Sequence, residues 1–555
     1  MNKTSVTPRG TDSKDTDERM ATKHDYIVVG SGINALVCAA RLGQKGRRVL
    51  LLERNDRIGG CLRSEEITLP GFVHDVMAMT MVLFVTGPAY AALGEDLRRH
   101  GLEFCNSEWP HAVALPDGQH VRLSRNRKAN IDALNALHPG DGDHYRSDVT
   151  RVEHNARLLF GLLGGKLWSL ETLKLLLAET WRRRPTGVKA FVGEVLTPAR
   201  SWLESGYGSQ AVRSLLAPWP LHAGLGPEDV LSAEIGKVIA FSLEAAGAPI
   251  VKGGVRNLLS AFAALIEEQG GEIRVDSDVD GILRANGRAV GVRLSSGEII
   301  SAREGVICSV TPKQLHGRLL GNPENESDAV SKYRHGKGNF QIHYALDKPP
   351  AWKNPALAEV AVLHLTGGVD AVSKACNEAL RGVLPERPTI CVKQPHALDP
   401  SRCPPGKAVL WLQLPEAPSA VRGDAAGLLP APAHGTWTEE LREAYADRAE
   451  ALLAAYIHDF RKTVLARRAY SPADLESLNI NLVGGDPYGG SATIDQSLFW
   501  RPFKHSINHR TQVKGLYMIG ASTHPGPGLG GGSGFLLAEQ LKGHWNIGSE
   551  HWFIR

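Results

Sequence analysis

The sequence predicts an α/β protein whose parallel sheet is assembled from three separated stretches of the chain. Three observations predict this: a strand–glycine–helix pattern near residue 30, two hairpin turns near residue 290, and a second strand–glycine–helix pattern after residue 515. At 555 residues the chain exceeds what one hydrophobic core usually organises, so we expect a second domain beside the sheet.

Composition narrows the class of protein before any motif is considered. Hydrophobic residues make up 43% of the chain and charged residues 22%, which is typical of a globular protein. A net charge of +4, with no basic stripe, does not indicate nucleic-acid binding. The seven cysteines include no CxxC pair, so we expect no metal site, no disulfide framework and a cytoplasmic location.

The first 24 residues and the longest apolar runs bear on targeting and on membrane insertion. Residues 1–24 are rich in Lys, Asp, Thr and Ser, which predicts a disordered leader and no secretory signal. No stretch reaches the roughly 20 unbroken apolar residues of a membrane span. The nearest, 76–93, is interrupted by Thr, Gly and Pro, and we expect it in the protein interior.

The first motif predicts a Rossmann-type dinucleotide site. An apolar strand over 26–29 runs into Gly30-Ser31-Gly32-Ile33-Asn34-Ala35 and a helix, and a second strand over 49–52 ends in Glu53. The alternative is an α/β crossover with a tight turn and no ligand.

Each part of this motif has a physical role in binding. Gly30 permits the tight turn, Gly32 lets the backbone approach a pyrophosphate, and the small Ala35 allows helix and strand to pack closely. The helix N-terminus attracts phosphate, and Glu53 can accept hydrogen bonds from the ribose hydroxyls.

The residues that follow Glu53 distinguish a flavin site from a nicotinamide site. A second glycine pair, Gly59-Gly60, follows Arg57 and precedes Ser64. This segment resembles the amine-oxidase and phytoene-desaturase superfamily of flavoproteins, in which such an element lies against the pyrophosphate of FAD. Cys61 stands where that family usually has arginine, and Arg63 is the candidate replacement. From the two segments together, the expected FAD-binding residues are Gly30, Gly32, Ile33, Asn34, Ala35, Glu53, Arg54, Gly59, Gly60, Cys61, Arg63 and Ser64.

The middle of the chain predicts an antiparallel meander that returns to the parallel sheet. An amphipathic helix over 258–268 is followed by strands, by hairpin turns at Asn286-Gly287 and Ser296-Gly297, and by the apolar run 306–308. The resemblance implies that the backbone of Val279 holds the adenine; the alternative is plain structural sheet.

The last motif is a strand over 515–520, a glycine-dense turn and a helix. It resembles the C-terminal signature of phytoene-desaturase-like proteins, where this helix points at the flavin and stabilises its reduced form. No cysteine lies here, so we expect FAD to be held non-covalently. The FAD contacts that the resemblance implies in this segment are Gly520, Ala521, Gly531, Gly532 and Ser533.

Together the motifs divide the chain into two predicted domains. The fold class is α/β: a Rossmann-type FAD-binding domain with an antiparallel meander crossover, plus an α+β substrate domain with a helical insertion. The FAD-binding domain is expected over 25–109, 251–324 and 495–555, and the substrate domain over 110–250, mostly helical, and 325–494.

Several features of the predicted substrate domain have two interpretations. The leucine-rich segment 158–181, which ends in three arginines, is either a core helix with a basic end, which we favour, or an amphipathic surface that dips into a membrane interface. The loop 217–222 either lines a pocket or packs on the surface. Residues 341–346 alternate as a strand does.

The sequence does not identify a catalytic residue. His524, His74, His222 and His343 are candidates for acid–base chemistry, although a structural role explains each of them more readily.

The resemblance implies dehydrogenation of a C–C bond in an apolar or partly apolar substrate, by hydride transfer to FAD, with oxygen or a quinone as electron acceptor. One alternative is C–N oxidation of an amine or amino acid. Another is a flavin-binding protein without turnover, against which the many constrained glycines argue. Contact with the inner face of a membrane stays open, and no oligomeric state is indicated.

Overall fold

The computed structural model describes residues 23–321 and 328–541. Most of the predicted leader therefore lies outside the described residues. Its last residue, His24, is not part of a leader, because it is buried and begins the first strand, where it pairs with Ala302.

The strands are numbered in chain order. They are β1 (His24–Val29), β2 (Val49–Leu52), β3 (Arg63–Glu65), β4 (His74–Val76), β5 (Phe104–Cys105), β6 (His111–Ala114), β7 (His120–Leu123), β8 (Ile250–Val251), β9 (Glu272–Arg274), β10 (Val279–Ala285), β11 (Arg288–Leu294), β12 (Ile299–Cys308), β13 (Gly338–Leu346), β14 (Val362–Leu365), β15 (Val383–Leu384), β16 (Ile390–Lys393), β17 (Ala408–Ala417), β18 (Gly423–Asp424), β19 (Val464–Tyr470) and β20 (Leu516–Met518).

The α-helices are numbered in the same way. They are α1 (Ile33–Gly43), α2 (Val82–Val85), α3 (Pro88–Arg99), α4 (Arg127–Leu137), α5 (Asp141–Gly164), α6 (Leu170–Val195), α7 (Ala199–Gly206), α8 (Gln210–Leu216), α9 (Ser232–Ala246), α10 (Val255–Glu268), α11 (Asp328–Ser331), α12 (Val369–Leu380), α13 (Pro395–Leu398), α14 (Glu439–Ala454), α15 (Phe460–Thr463), α16 (Pro472–Leu478) and α17 (Gly532–Leu541).

The first sheet confirms the predicted α/β fold with its meander. Its parallel strands lie in the order β9-β2-β1-β12-β20. The long strand β12 pairs with β1 near its end and antiparallel with β11 near its beginning, so the meander β10-β11-β12 is continuous with the parallel sheet. Helices α1 and α10 pack on one face of the sheet and the meander packs on the other, which is why the central strand residues 26–29 and 49–52 are apolar and buried.

The second sheet has the order β19-β13-β17-β16-β14-β6-β7. One face packs on α14 through alternate strand residues such as Phe340, Ile342 and Leu412. The intervening residues, among them Gln341 and Gln413, point to the opposite face, toward the first sheet. The strand expected over 341–346 is confirmed as part of β13.

The interpretation of 158–181 as a core helix is wrong. The segment is broken, because α5 ends at Gly164 and α6 begins at Leu170 with Ser169 as its N-cap. Helix α6 is largely exposed, and its apolar stripe Leu170, Leu173, Leu177 and Trp181 has exposed fractions of 69%, 52%, 61% and 89%. The structure therefore leaves an apolar face of this helix in contact with solvent.

The segment 76–93 lies largely in the interior, as expected, with Met79, Met81, Phe84 and Leu93 buried. Of the helices in the described ranges, none combines the length and the apolar character that a membrane crossing requires.

Candidate functional site

A cavity of about 380 Å³ lies between the carboxyl ends of the parallel strands and the inner face of the second sheet. The ends of β1, β2 and β12 contribute Gly30, Glu53 and Ser309 to its lining. In α/β sheets this edge is where ligands bind, because the strand ends and helix N-termini present free backbone groups there.

The glycine-rich turn is shaped for a ligand at Gly32. Gly30 has φ +89°, and a Cβ there would lie 3.1 Å from the carbonyl oxygen of Ser309, so the protein itself requires glycine at this position. Gly32 has an ordinary φ of −62°, and a Cβ there would meet no protein atom within 4 Å. Nothing within the described protein therefore demands glycine at Gly32, whereas close approach of a pyrophosphate to the backbone does.

Glu53 is buried at the end of β2 and lines the cavity. Its Oε2 accepts hydrogen bonds from the hydroxyl and the N–H of Ser31, at 2.5 and 3.2 Å, and its Oε1 accepts one from the N–H of Asn55 at 3.0 Å. A carboxylate has about four acceptor positions. Acceptor capacity therefore remains for a ribose hydroxyl, and this carboxylate fits FAD.

Twelve of the predicted FAD-binding residues meet in the cavity lining. They are Gly30, Gly32, Ile33, Asn34, Glu53, Arg54, Gly59, Gly60, Cys61, Val279, Gly520 and Ala521.

The remaining six lie outside the lining, namely Ala35, Arg63, Ser64, Gly531, Gly532 and Ser533. The three polar side chains among them bond within the protein: Arg63 donates to Glu65 at 2.5 Å, and the Ser64 hydroxyl donates to Asp75 at 2.6 Å. The Ser533 hydroxyl donates to Asn34, which ties the last helix to the first. The guanidinium of Arg63, the candidate replacement for the family arginine, is thus engaged with Glu65 outside the lining.

Cys61 itself supplies no charge to the cavity. Burial raises the pKa of its thiol to about 11, and its Sγ accepts a hydrogen bond from Asn479. The cations at this end of the cavity are Arg54 and Arg318, and Arg318 is paired with Asp278 at 3.1 Å. The sequence pattern did not single out Arg318, which comes from the segment after β12.

The structure separates the four candidate histidines. His222 lines the cavity, whereas His74, His343 and His524 lie outside its lining. His524 bonds the carbonyl of Gly165 at 3.0 Å, and His343 stacks on Trp411. Burial lowers the pKa of His74 and His222 to about 3 and that of His524 to about 4, and it holds the pKa of His343 well below its ordinary value. All four imidazoles are neutral at pH 7.

His222 also belongs to a cluster of donor atoms. Its Nε2 lies 2.9 Å from Nε2 of His364, and Cys391 is directly opposite His364 in the register of β14 and β16. The three donor atoms lie within 4.8 Å of one another. The expectation of no metal rested on the absence of a local CxxC spacing, which such a tertiary cluster does not need. Burial is the main cause of the lowered pKa of both His222 and His364, and the positive charge of nearby Lys393 adds to it, which opposes binding of a cation here.

The second sheet lines the cavity with polar side chains that the sequence motifs did not identify: Asn339, Gln341, Lys393 and Gln413. A signal was present, because polar residues occupy every second position of β13 from Asn339 to His343. The opposite wall is apolar, with Val82, Leu83, Ile239 and Leu243 among its residues. The cavity is therefore amphipathic.

The fold and this cavity define a flavoprotein oxidoreductase, with a glycine-rich turn at the strand ends of one sheet and polar side chains of a second sheet facing it across the cavity. Residues 36–531 match the family model for flavin containing amine oxidoreductase, and the chain belongs to this family. The resemblance seen in the sequence is thereby confirmed, and the chain is an FAD-dependent oxidoreductase.

Relatives with named activities match almost the whole chain. It is 26% identical to a limonene dehydrogenase component of Castellaniella defragrans, over 93% of this chain and 94% of the relative. It is also 26% identical to the neurosporene-forming phytoene desaturase of Rhodobacter capsulatus, over 93% of each chain.

Solved structures share the fold at lower identity. An oxidoreductase from Methanosarcina mazei aligns with a TM-score of 0.57 at 18% identity, covering 94% of this chain and 100% of that one. Putrescine oxidase bound to putrescine aligns with a TM-score of 0.57 at 14% identity, covering 94% and 99%. These similarities establish the architecture.

Proposed function

We propose that this enzyme dehydrogenates a C–C bond of a partly apolar substrate, with FAD as the hydride acceptor. The observation that carries the proposal is the charge of the cavity. Its lining carboxylates are Glu53 and Asp278, both at the cofactor end, while the substrate sheet contributes Lys393. A protonated amine beside Lys393 would be repelled and would find no carboxylate in the described lining there, which disfavours C–N oxidation.

The named activities of the relatives support the same choice. Two of them are called limonene dehydrogenase and phytoene desaturase, and both names describe removal of hydrogen from a carbon skeleton. Putrescine oxidase shares the fold at 14% identity, a level at which the likeness concerns architecture alone.

Desaturation removes one hydride and one proton from adjacent carbons. FAD, when bound, supplies the two-electron acceptor for the hydride, and oxygen or a quinone is the proposed electron acceptor that completes the turnover. The proton is proposed to pass to His222, whose neutral imidazole is the one of the four candidates that lies in the cavity lining. Its pKa of about 3 makes it a weak base, so we expect His222 to assist the reaction rather than to control it.

Anaerobic titration of the yellow holoenzyme tests this proposal. Ketones, polyenes and carboxylic acids with apolar chains are compared with amines of the same skeleton, and flavin absorbance is followed together with product analysis. Bleaching by a C–C substrate, with a desaturated product, is the expected result. Bleaching by the amines alone, with release of aldehyde or ketone, would replace the proposal with amine oxidation.

We also propose that α6 contacts a membrane surface. Its exposed stripe of three leucines and Trp181 is followed by the exposed Arg182 and Arg184, whereas Arg183 between them pairs with Glu179. An apolar stripe beside basic residues binds the interface of an anionic bilayer, because the apolar side chains enter the acyl boundary while the cations meet the headgroups. A lipophilic substrate would be collected from that surface.

A further inference from the structure

The second sheet holds a lysine that the protein itself does not neutralise. Lys393 ends β16 and is 7% exposed. Within residues 23–321 and 328–541 its Nζ makes one hydrogen bond, to Oε1 of Gln413 at 3.1 Å, lies 3.7 Å from the centre of the Trp411 ring, and forms no ion pair with a carboxylate. Buried lysines are rare unless they are paired, because desolvation of an ammonium group is costly.

Two amide groups beside Lys393 are also left with free donors. Gln341 and Gln413 are directly opposite each other in the register of β13 and β17. Their Oε1 atoms accept hydrogen bonds from Met77 N–H and from Lys393, whereas their NH₂ groups bond to nothing in the described chain. Both side chains line the cavity.

Asn339 extends this row along β13. It is buried, lines the cavity, and neither its Oδ1 nor its Nδ2 has a hydrogen-bond partner in the described chain. Unpaired buried polar groups each cost free energy, so several on one surface point to a ligand that pairs them. A pure hydrocarbon would leave all of them unpaired.

We propose that Lys393, Gln341 and Gln413 bind a carboxylate group of the substrate. A carboxylate accepts about four hydrogen bonds, and one negative charge matches one lysine. A phosphate dianion would require further cations beside Lys393. The arginines of the lining, Arg54 and Arg318, instead lie 3.9 and 3.1 Å from Asp278, at the cofactor end of the cavity that Glu53 also lines. The apolar wall of Ile239, Leu243 and Leu83 then receives the carbon chain.

This inference rests on the proposed function, since it names the class of molecule that is dehydrogenated: an apolar carbon chain or ring that ends in a carboxylate. The carboxylate takes no part in the redox step. It positions the chain, and the lysine and the amides act as specificity-determining residues.

Equilibrium binding to the oxidised holoenzyme tests the inference without turnover. Straight-chain carboxylates from hexanoate to tetradecanoate are titrated by calorimetry and by the shift in the flavin spectrum. Each is compared with the primary amide of the same length, which is neutral and nearly the same shape, and with the amine. We expect the best carboxylate to bind about 10- to 100-fold more tightly than its amide.

Lys393→Met should remove this preference and leave FAD content unchanged. Lys337→Met is the matched control, because Lys337 is also 7% exposed but donates to the carbonyl of Gly224 and lies outside the cavity lining. Burial lowers the pKa of Lys393. The preference for carboxylates should therefore be lost at a pH below the ordinary pKa of lysine, as the ammonium group loses its proton.

Three results would overturn the inference: no carboxylate of the series binds, amides or amines bind as tightly as carboxylates, or Lys393→Met keeps the preference. Failure of the C–C dehydrogenation proposal is a separate result. It would appear as an absence of bleaching and of desaturated product, whatever the binding preference.

Discussion

The two large sheets differ in where their polar side chains lie relative to the strands. In the first sheet the paired residues 26–29 and 49–52 are apolar, and the polar residues that line the cavity, among them Ser31 and Glu53, lie in the turns that follow the strands. The second sheet buries ionisable or amide side chains within its strands, among them Gln341, His364, Lys393 and Glu416. The first arrangement suits a cofactor of fixed shape, and we propose that the second selects the substrate.

The comparison has an energetic side. A strand buried on both faces is stabilised by transfer of apolar surface from water, about 1.5–3 kcal/mol for each large side chain. Buried polar side chains contribute little unless they are paired. The second sheet therefore carries a stability cost, which the proposed carboxylate ligand would offset. The following predictions test this contrast.

The largest effect is expected at the ion-pair cluster that joins the two regions. Arg402 is fully buried and pairs with Asp75 at 2.9 Å and with Asp399 at 2.8 Å. Arg402→Met leaves two carboxylates buried without their cation, and we expect a loss of about 3–5 kcal/mol in the free energy of unfolding. Arg461→Met, at the exposed pair with Glu450, should cost about 1 kcal/mol or less.

Denaturant unfolding of both variants measures the difference. Similar losses for Arg402→Met and Arg461→Met would show that the buried cluster does not join the two regions as described.

The second prediction concerns the backbone cradle. Gly32→Val introduces a side chain where no protein atom lies within 4 Å, so the fold should be kept while FAD binding weakens by about 100-fold or more. Gly193→Val is the control, because Gly193 is also free of neighbours but lies on exposed α6. Flavin content and fluorescence titration of the apoprotein give the measurement. A Gly32→Val protein that is fully loaded with FAD would contradict the assignment of this turn to the pyrophosphate.

The third prediction is a pH dependence that arises in the second sheet. Burial raises the pKa of Glu416 to about 7, against about 4.3 for an unfolded glutamate. The folded chain holds this proton more tightly, so its stability should fall as the pH rises between these values, by roughly 2 kcal/mol from pH 5 to pH 7. Glu416→Gln should remove that slope.

The free energy of unfolding at pH 5 and at pH 7 checks this, with Glu267→Gln, at an exposed position, as the control. A slope that persists in Glu416→Gln would assign the titration to another group.

The smallest effect is expected at the surface of α6. Replacing Leu177 and Trp181 together by serine should weaken binding to vesicles of anionic lipid by about tenfold or more, since both side chains are exposed and apolar. Replacing Leu380 and Leu428, which are similarly exposed elsewhere, should leave vesicle binding unchanged. Co-sedimentation with the vesicles measures both. Equal binding by the α6 variant and the control would remove the membrane proposal.

The cofactor half of the molecule was predictable from the sequence because its determinants are local. Gly30 permits the tight turn, Gly32 permits close approach of a pyrophosphate to the backbone, and Glu53 is recognised by its position at the end of the second strand. All three residues lie within one β–α–β unit. The meander was equally visible, since Asn286-Gly287 adopts positive φ at both residues, as a two-residue hairpin requires.

The polar surface of the second sheet, which we propose to bind substrate, could not be predicted from the sequence. Lys393, Gln413 and Gln341 lie on three strands, and only the register of β13, β16 and β17 places their side chains on one face. The exposure of α6 likewise depends on what packs against the helix, and the helical spacing of its leucines does not predict this. Local backbone conformation is determined by residues that are neighbours in the sequence, whereas the convergence of distant side chains depends on strand pairing across the whole domain.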